Sequence, residues 1–215
     1  LANMRRRAWG SLVQMMALAL GIMALLLLTM VRGDLMKSWQ NNVPADAPNR
    51  FVVGIQSQQL ADVRQFFADK KLDAPDIYPM VRGRLVEING KPLSENKFED
   101  ERSKRLVERE FNLSWAKDIR SDNKILAGKW WNTSGDVTPQ LSVEEGIAKT
   151  LNAQLGDTLT YDVAGTRFTA PITSLRKLDW DTFKPNFFVI VSPGVIDDFP
   201  ASWMTSFHLP QKDQR

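Results

Sequence analysis

Asp179 and Asp181 flank Trp180, a spacing that turns both carboxylates to one face wherever the backbone is extended. Two acids facing one way are the minimum for general acid–base chemistry of the glycosidase kind, but such pairs converge from separate segments at set distances. In their charged, turn-rich surroundings these aspartates read instead as groups that solvate a loop between strands. Lys104-Arg105 and Glu108-Arg109-Glu110 read by the same logic as a solvated face. A Ser-His-Asp triad would have to use the single histidine, His208, which closes the alternating segment Trp203–Leu209 ahead of Pro210 and reads as strand-end structure. With one His and no Cys, neither the usual zinc sets nor thiol chemistry nor disulfides can be assembled. Ser192-Pro193-Gly194 is a turn, since no glycine-rich run or Lys follows as a phosphate loop requires. No catalytic residue, metal site or cofactor site is expected. Asn112-Leu113-Ser114 and Asn132-Thr133-Ser134 match the N-glycosylation pattern, which is short enough to arise by chance.

Aromatic residues offer a different kind of site. Trp130-Trp131, Trp180, Phe183, Phe187-Phe188, Phe199, Trp203 and Phe207 crowd the second half of the chain. On an extended backbone, neighbours point to opposite faces, so one ring of the Trp130-Trp131 pair is expected in the core and the other near the surface. An exposed aromatic marks a ligand or partner surface, and core filling is the alternative. Trp130, Trp131, Asp179, Trp180 and Phe183 are therefore the candidate substrate or partner face.

The elements that must position these residues follow from patterning. Arg50–Ile55 reads as a buried strand, and 58–71 as a helix with Leu60, Val63, Phe66 and Phe67 on one face. Ile77–Ile88 reads as a strand with a bend or bulge at Gly83, followed by the turn Asn89-Gly90. The charged stretch 94–104 reads as a loop or short helix, and Phe111, Leu113 and Trp115 alternate as a half-buried strand. Ser142 and Glu145 have capping-box spacing, which predicts a helix with Val143, Ile147, Leu151 and Leu155 as its stripe and Gly156 as its stop. Segments 158–163 and 166–178 around Ala164-Gly165 predict a hairpin. Phe187–Val191 and Trp203–Leu209 complete the strands. Without a regular βαβ rhythm, the class is α+β, in one domain or two lobes.

Ahead of all this, Ala8–Val31 carries no charge and follows Arg5, Arg6 and Arg7. A helix of that length crosses a hydrocarbon core of about 30 Å, and the arginines predict that its start stays cytoplasmic. A cleaved signal peptide would have an apolar stretch of about 7–15 residues and a small-x-small site, whereas Arg32-Gly33-Asp34-Leu35 follows here. The chain carries 28 basic and 25 acidic residues, and Arg5–Arg7 account for the net charge of +3, so nothing favours nucleic-acid binding. The organisation expected is a basic flank over 1–7, a transmembrane helix over 8–31, a stalk and linker over 32–49, an extracytoplasmic α+β domain over 50–210, and a polar tail over 211–215. The absence of Met at position 1 and the polar ending read as a piece of a longer polypeptide.

In order, the basic flank and helix, Gly128-Lys129-Trp130-Trp131, Ser142–Ala148, Leu155-Gly156-Asp157 and Ile172–Ile190 resemble the FtsX/MacB-type ABC transporter permeases. The Leu175–Phe188 run most resembles the YbbP-like branch. The resemblance implies the second periplasmic domain of such a permease with its preceding membrane helix, and a MacB-like periplasmic core. It implies a non-catalytic permease segment in the bacterial inner membrane, multi-pass when intact, with residues 32–215 periplasmic. A separate cytoplasmic ABC ATPase would hold ATP and Mg. The substrate would be hydrophobic or lipid-like and taken from membrane lipid, with a periplasmic thioesterase/lysophospholipase as a further partner. A single-pass adaptor or sensor, or an anchored hydrolase, is the alternative from composition alone.

Overall fold

In this computed structural model the described residues are 8–42, 47–95, 101–132 and 138–210. The basic flank with Arg5–Arg7, linker residues 43–46, Thr133-Ser134 of one glycosylation pattern, and the tail 211–215 lie outside them. The chain divides into two compact units, Leu1–Ala45 and Asp46–Arg215. The second is one unit, where the sequence left room for two lobes.

The first unit holds helix α1, Ala8–Asn42, which runs unbroken through Arg32, Gly33 and Asp34. Its 35 residues span about 52 Å, well beyond a hydrocarbon core of about 30 Å. Trp9–Met36 is the stretch long and apolar enough to cross a membrane, and its large side chains are exposed all round. Thr29, one of its few polar residues, turns its hydroxyl back to the Leu25 and Leu26 carbonyls, both at 2.9 Å. That internal bond is what a hydroxyl surrounded by lipid requires.

The second unit is built on a closed ring of strands. Its elements are β1 (Arg50–Ile55), α2 (Leu60–Asp69), β2 (Ile77–Ile88), β3 (Lys91–Pro92), α3 (Glu101–Glu108), β4 (Phe111–Trp115), β5 (Asn123–Gly128), β6 (Leu141–Glu144), α4 (Glu145–Leu151), β7 (Thr158–Val163), β8 (Thr166–Leu178), β9 (Val189–Val191) and β10 (Ser202–Phe207). Pairings run β2–β4–β9–β6–β8–β7 and return to β2, so six strands form a barrel. The β4–β9 and β6–β8 pairs are parallel and the others antiparallel. The long strands β2 and β8 reach beyond the ring. The start of β2 pairs with β10, which carries β1, and the end of β8 pairs with β5.

Alternation fills the barrel. Val81 and Leu85 of β2, Leu159 and Tyr161 of β7, and Ala170 and Ile172 of β8 are buried, and Leu113, Leu141, Val143, Val189 and Val191 meet them in one cluster. Close packing of this kind leaves little room at Gly83, where a Cβ would come 2.8 Å from Leu113 Cδ1. Gly83 is therefore a point of close approach. The irregularity expected there lies instead between Leu85 and Glu87, where β2 changes register against β7.

Three other expectations are corrected. Ser142 does not cap a helix. It lies in β6, fully buried, and accepts a 2.8 Å bond from the Ser174 hydroxyl. Pairing on both sides with β8 and β9 overrides the local capping signal, and Glu144 becomes the N-cap by accepting from the Ile147 amide at 2.8 Å. Helix α4 ends at Asn152 in the left-handed region (φ 54°), so Leu155 falls outside it and is exposed. Strand β1, read as buried, is exposed except at Ile55. The expected helix over 58–71 is found as α2, with Phe67 buried against the Phe207 ring at 4.8 Å and Leu60 and Val63 half-buried. Other expected elements are found: Asn89 and Gly90 form a left-handed turn (φ 54° and 71°), and 158–178 is a hairpin.

The two ends of this unit are joined. Asn49 donates its side-chain amide to the Leu209 carbonyl at 3.0 Å and accepts from the Leu209 N–H at 2.9 Å. The Asn49 N–H continues the β1–β10 ladder to the Phe207 carbonyl at 3.1 Å, and His208 Nδ1 meets the Ala47 carbonyl at 2.9 Å. The single histidine thus has the strand-end role expected of it.

Candidate functional site

The segment from Asp179 to Phe188 is held by buried charge. Inward alternation along β8 carries Ala170, Ile172 and Ser174 into the interior and continues to Arg176, which is fully buried. Its Nη1 donates to Asn123 Oδ1 at 2.5 Å and its Nη2 to the Phe187 carbonyl, while Nε has no partner among the described residues. Burial lowers the Arg176 proton affinity to about 9, which leaves the guanidinium charged at neutral pH. Glu144 lies opposite it in the β6–β8 register and opposes that fall.

Beside Arg176 stands a second cation. Arg120 grips Asp122 with both ends of its fork, at 2.9 and 2.5 Å, and donates Nη1 to the Pro185 carbonyl. Its guanidinium carbon lies 4.3 Å from the centre of the Tyr78 ring. Burial pushes the Tyr78 phenol up to about 12, against the charge of Arg120 and together with the neighbouring Asp76. Asp122 also accepts from Asn123 Nδ2 at 2.9 Å and from the Thr182 hydroxyl at 3.4 Å, and its carbonyl takes the Asp179 N–H at 2.9 Å. The Thr182 and Asp179 bonds tie 179–188 to Asp122, just ahead of β5. The sequence shows no such network, although period-two alternation through Ser174 and Arg176 is the signal that points Arg176 inward.

Asp122 sets a pH dependence. Burial works to raise its pKa, but the hydrogen bond and charge of Arg120 and the Asn123 amide outweigh burial and hold it below the usual carboxylate range. A depressed carboxylate contributes stability that is full above its unfolded value, about 4, and lost as pH falls through the lower folded value. Asp122→Asn should therefore lower the unfolding midpoint at pH 7, and the gap from wild type should close as the pH falls below about 4. Thermal unfolding followed by circular dichroism across that range checks this.

On this anchored segment, Asp179 caps the short turn Trp180–Thr182 by accepting from the Asp181 N–H at 3.0 Å, and Phe183 ends the turn at φ 54°. Asp179 thus shapes a loop, and Asp181 is exposed. Trp180 is 52% exposed and packs on Phe188 at 5.6 Å, while Phe183 is 40% exposed. Trp130 and Trp131 behave differently. Their rings lie 3.9 Å apart, and each indole N–H donates at 3.0 Å, to the Lys117 and Ala116 carbonyls respectively. Trp131 is buried with Phe187 and Ile190 in a small second core, and Trp130 packs against it half-buried. The five candidates therefore separate. Trp130 and Trp131 belong to a core with their polar atoms satisfied, whereas Trp180 and Phe183 face outward.

Trp180 and Phe188 form one wall of a cleft of about 700 Å³ whose other walls include Arg105, Leu106, Arg109 and Ile147. Leu106 and Val107 of α3 pack on the barrel core, which leaves Arg105 and Arg109 to face outward. Neither arginine has an acidic partner among the described residues. In sequence both lie in charged runs that read as a solvated face, and nothing there brings them to Trp180. No cluster of three His, Cys, Asp or Glu side chains suited to a metal occurs among the described residues.

No family model matches the sequence. Over 206 residues, 96% of its length, the chain is 41% identical to an uncharacterized ABC transporter permease, YbbP, of Escherichia coli strain K12. The chain spans about a quarter of that protein, the match covering 24% of its length. The similarity is thus to an ABC permease of the YbbP-like branch, the relationship that Leu175–Phe188 suggested.

Proposed function

On the premise that this chain is similar almost end to end to a quarter of an ABC transporter permease, we propose that it is a non-catalytic segment of such a permease. Residues 8–31 cross the bacterial inner membrane with Arg5–Arg7 on the cytoplasmic side, and residues 32–215 lie in the periplasm. The intact protein crosses several times, and the barrel unit is a periplasmic core of the MacB-like type. ATP and Mg are held by a separate cytoplasmic ATPase, whose cycle moves the membrane helices and through them the barrel. The substrate exported or extracted is hydrophobic or lipid-like, with a periplasmic thioesterase/lysophospholipase as receiver. The observation carrying this reading is that homology and α1 coincide: the matched region includes an apolar helix, 35 residues long and continuous into a stalk. A helix about 20 Å longer than the hydrocarbon core gives a tilt inside the membrane a rigid extension outside it.

The test is purification of the full-length protein from membranes in mild detergent. A stoichiometric nucleotide-binding subunit is expected to remain bound, with ATPase activity altered when residues 47–210 are deleted. A protein that crosses the membrane once and brings no ATPase overturns the reading.

A further inference from the structure

We infer that the cleft between α3, α4 and Trp180 binds an anionic amphiphile, its headgroup on Arg105 and Arg109 and its chain on Trp180 and Phe188. This deepens the substrate reading above and rests on it. Two guanidiniums without acidic partners among the described residues border a cleft whose remaining walls include Leu106, Ile147, Trp180 and Phe188. Unpaired arginines favour carboxylate or phosphate through paired N–H donors, and apolar walls favour a hydrocarbon chain, so the two halves together select a molecule with both.

Glu144, the acid on the cleft wall, does not cancel this field. One of its carboxylate oxygens accepts the Ile147 N–H, and the buried Arg176 lies opposite it behind the wall. The volume of about 700 Å³ accommodates a headgroup and part of a chain. The aromatic wall is preformed, because the segment carrying Trp180 is tied down by Asp122 and Arg176. Preformed walls reduce the ordering that binding would otherwise require. Carboxylate and phosphate share this chemistry, so a fatty acid and a phospholipid headgroup are its two sources.

The test uses the 215-residue chain in phosphatidylcholine nanodiscs, with bromine-tagged chains quenching nearby tryptophan. The probes are 11-bromoundecanoate, 11-bromoundecyl phosphate and the uncharged 11-bromoundecanol. The Trp180 signal is taken as the difference between wild type and Trp180→Phe. Saturable quenching of that signal by either anion is expected, weakened at least tenfold in the Arg105→Ala/Arg109→Ala double variant and only partly restored in the double lysine variant, which keeps the charge but not the paired donors. Preference for the carboxylate assigns the cleft to fatty acids, and preference for the phosphate assigns it to headgroups. Equal quenching by bromoundecanol, or unchanged affinity in the alanine variant, overturns the proposal. No ATPase is present, so failure here leaves the permease reading standing, and failure of the copurification leaves this binding result standing.

Discussion

Arg176→Met is expected to lower the unfolding free energy by about 2–4 kcal/mol, read from the urea midpoint of the barrel unit by circular dichroism. Methionine fills most of the space, so the loss reports hydrogen bonding more than a cavity. The change strands Asn123 Oδ1 and the Phe187 carbonyl, both in buried surroundings, at roughly 1–3 kcal/mol each. It also removes the cation opposite Glu144. Against this stands relief from burying a charge, which is smaller for guanidinium than for ammonium because guanidinium is weakly hydrated. Two orphaned acceptors outweigh that relief. The Trp180 emission should shift as well, since Phe187 anchors the loop from the buried side. A midpoint at or above wild type would mean that desolvation dominates at this position.

Gly128→Ala should cost a comparable amount for a different reason. Gly128 ends β5 with φ at +78°, where an L-residue is strained by roughly 1–2 kcal/mol. Its neighbours make the strain worse. A Cβ there would fall inside contact distance of the Thr173 carbonyl oxygen, and 2.9 Å from Leu155 Cδ2. That carbonyl already accepts from the Lys129 N–H, so relief requires moving backbone on β8. A total near 3 kcal/mol, or a fall of about 6–12 °C in Tm, is expected. Gly90→Ala is the control. Its φ is +71° but nothing lies near its missing Cβ, so only the conformational cost of about 1 kcal/mol should appear. Equal effects at the two glycines would show that the contact with β8 contributes nothing.

Local signals carried much of this fold. Asn89-Gly90, Ala164-Gly165 and the alternation from Phe111 to Trp115 each reflect a preference satisfied within a few residues, and each element formed as those preferences dictate. Elements decided by distant partners were not legible. Ser142 and Glu145 have capping spacing, yet the backbone at Ser142 finds β8 on one side and β9 on the other, more than 30 residues away. β5 was missed because its burial pattern is mixed and its partner is the far end of β8. Barrel closure depends on β7 pairing with both β2 and β8, which no local pattern encodes. The candidate face was half legible: tryptophan content marked it, but only hydrogen-bond partners separate Trp131, whose indole is satisfied in a core, from Trp180, which lies on a cleft. The arginines opposite Trp180, Arg105 in α3 and Arg109 just past its end, come from a stretch whose charge reads as a solvated surface.

The join between Asn49 and Leu209 has a consequence for the order of events in synthesis. The partners are 160 residues apart, so at roughly 5–20 residues per second β1 is made about 8–30 s before its strand partner β10. During that interval Phe51, Val52 and Val53 form an unpaired run of high strand propensity, the kind of segment that associates with other chains. Loop closure over that span gains little until the barrel has drawn the ends together, so the β1–β10 pair is the last to zip. This domain therefore depends on being shielded at its first strand until its last one arrives.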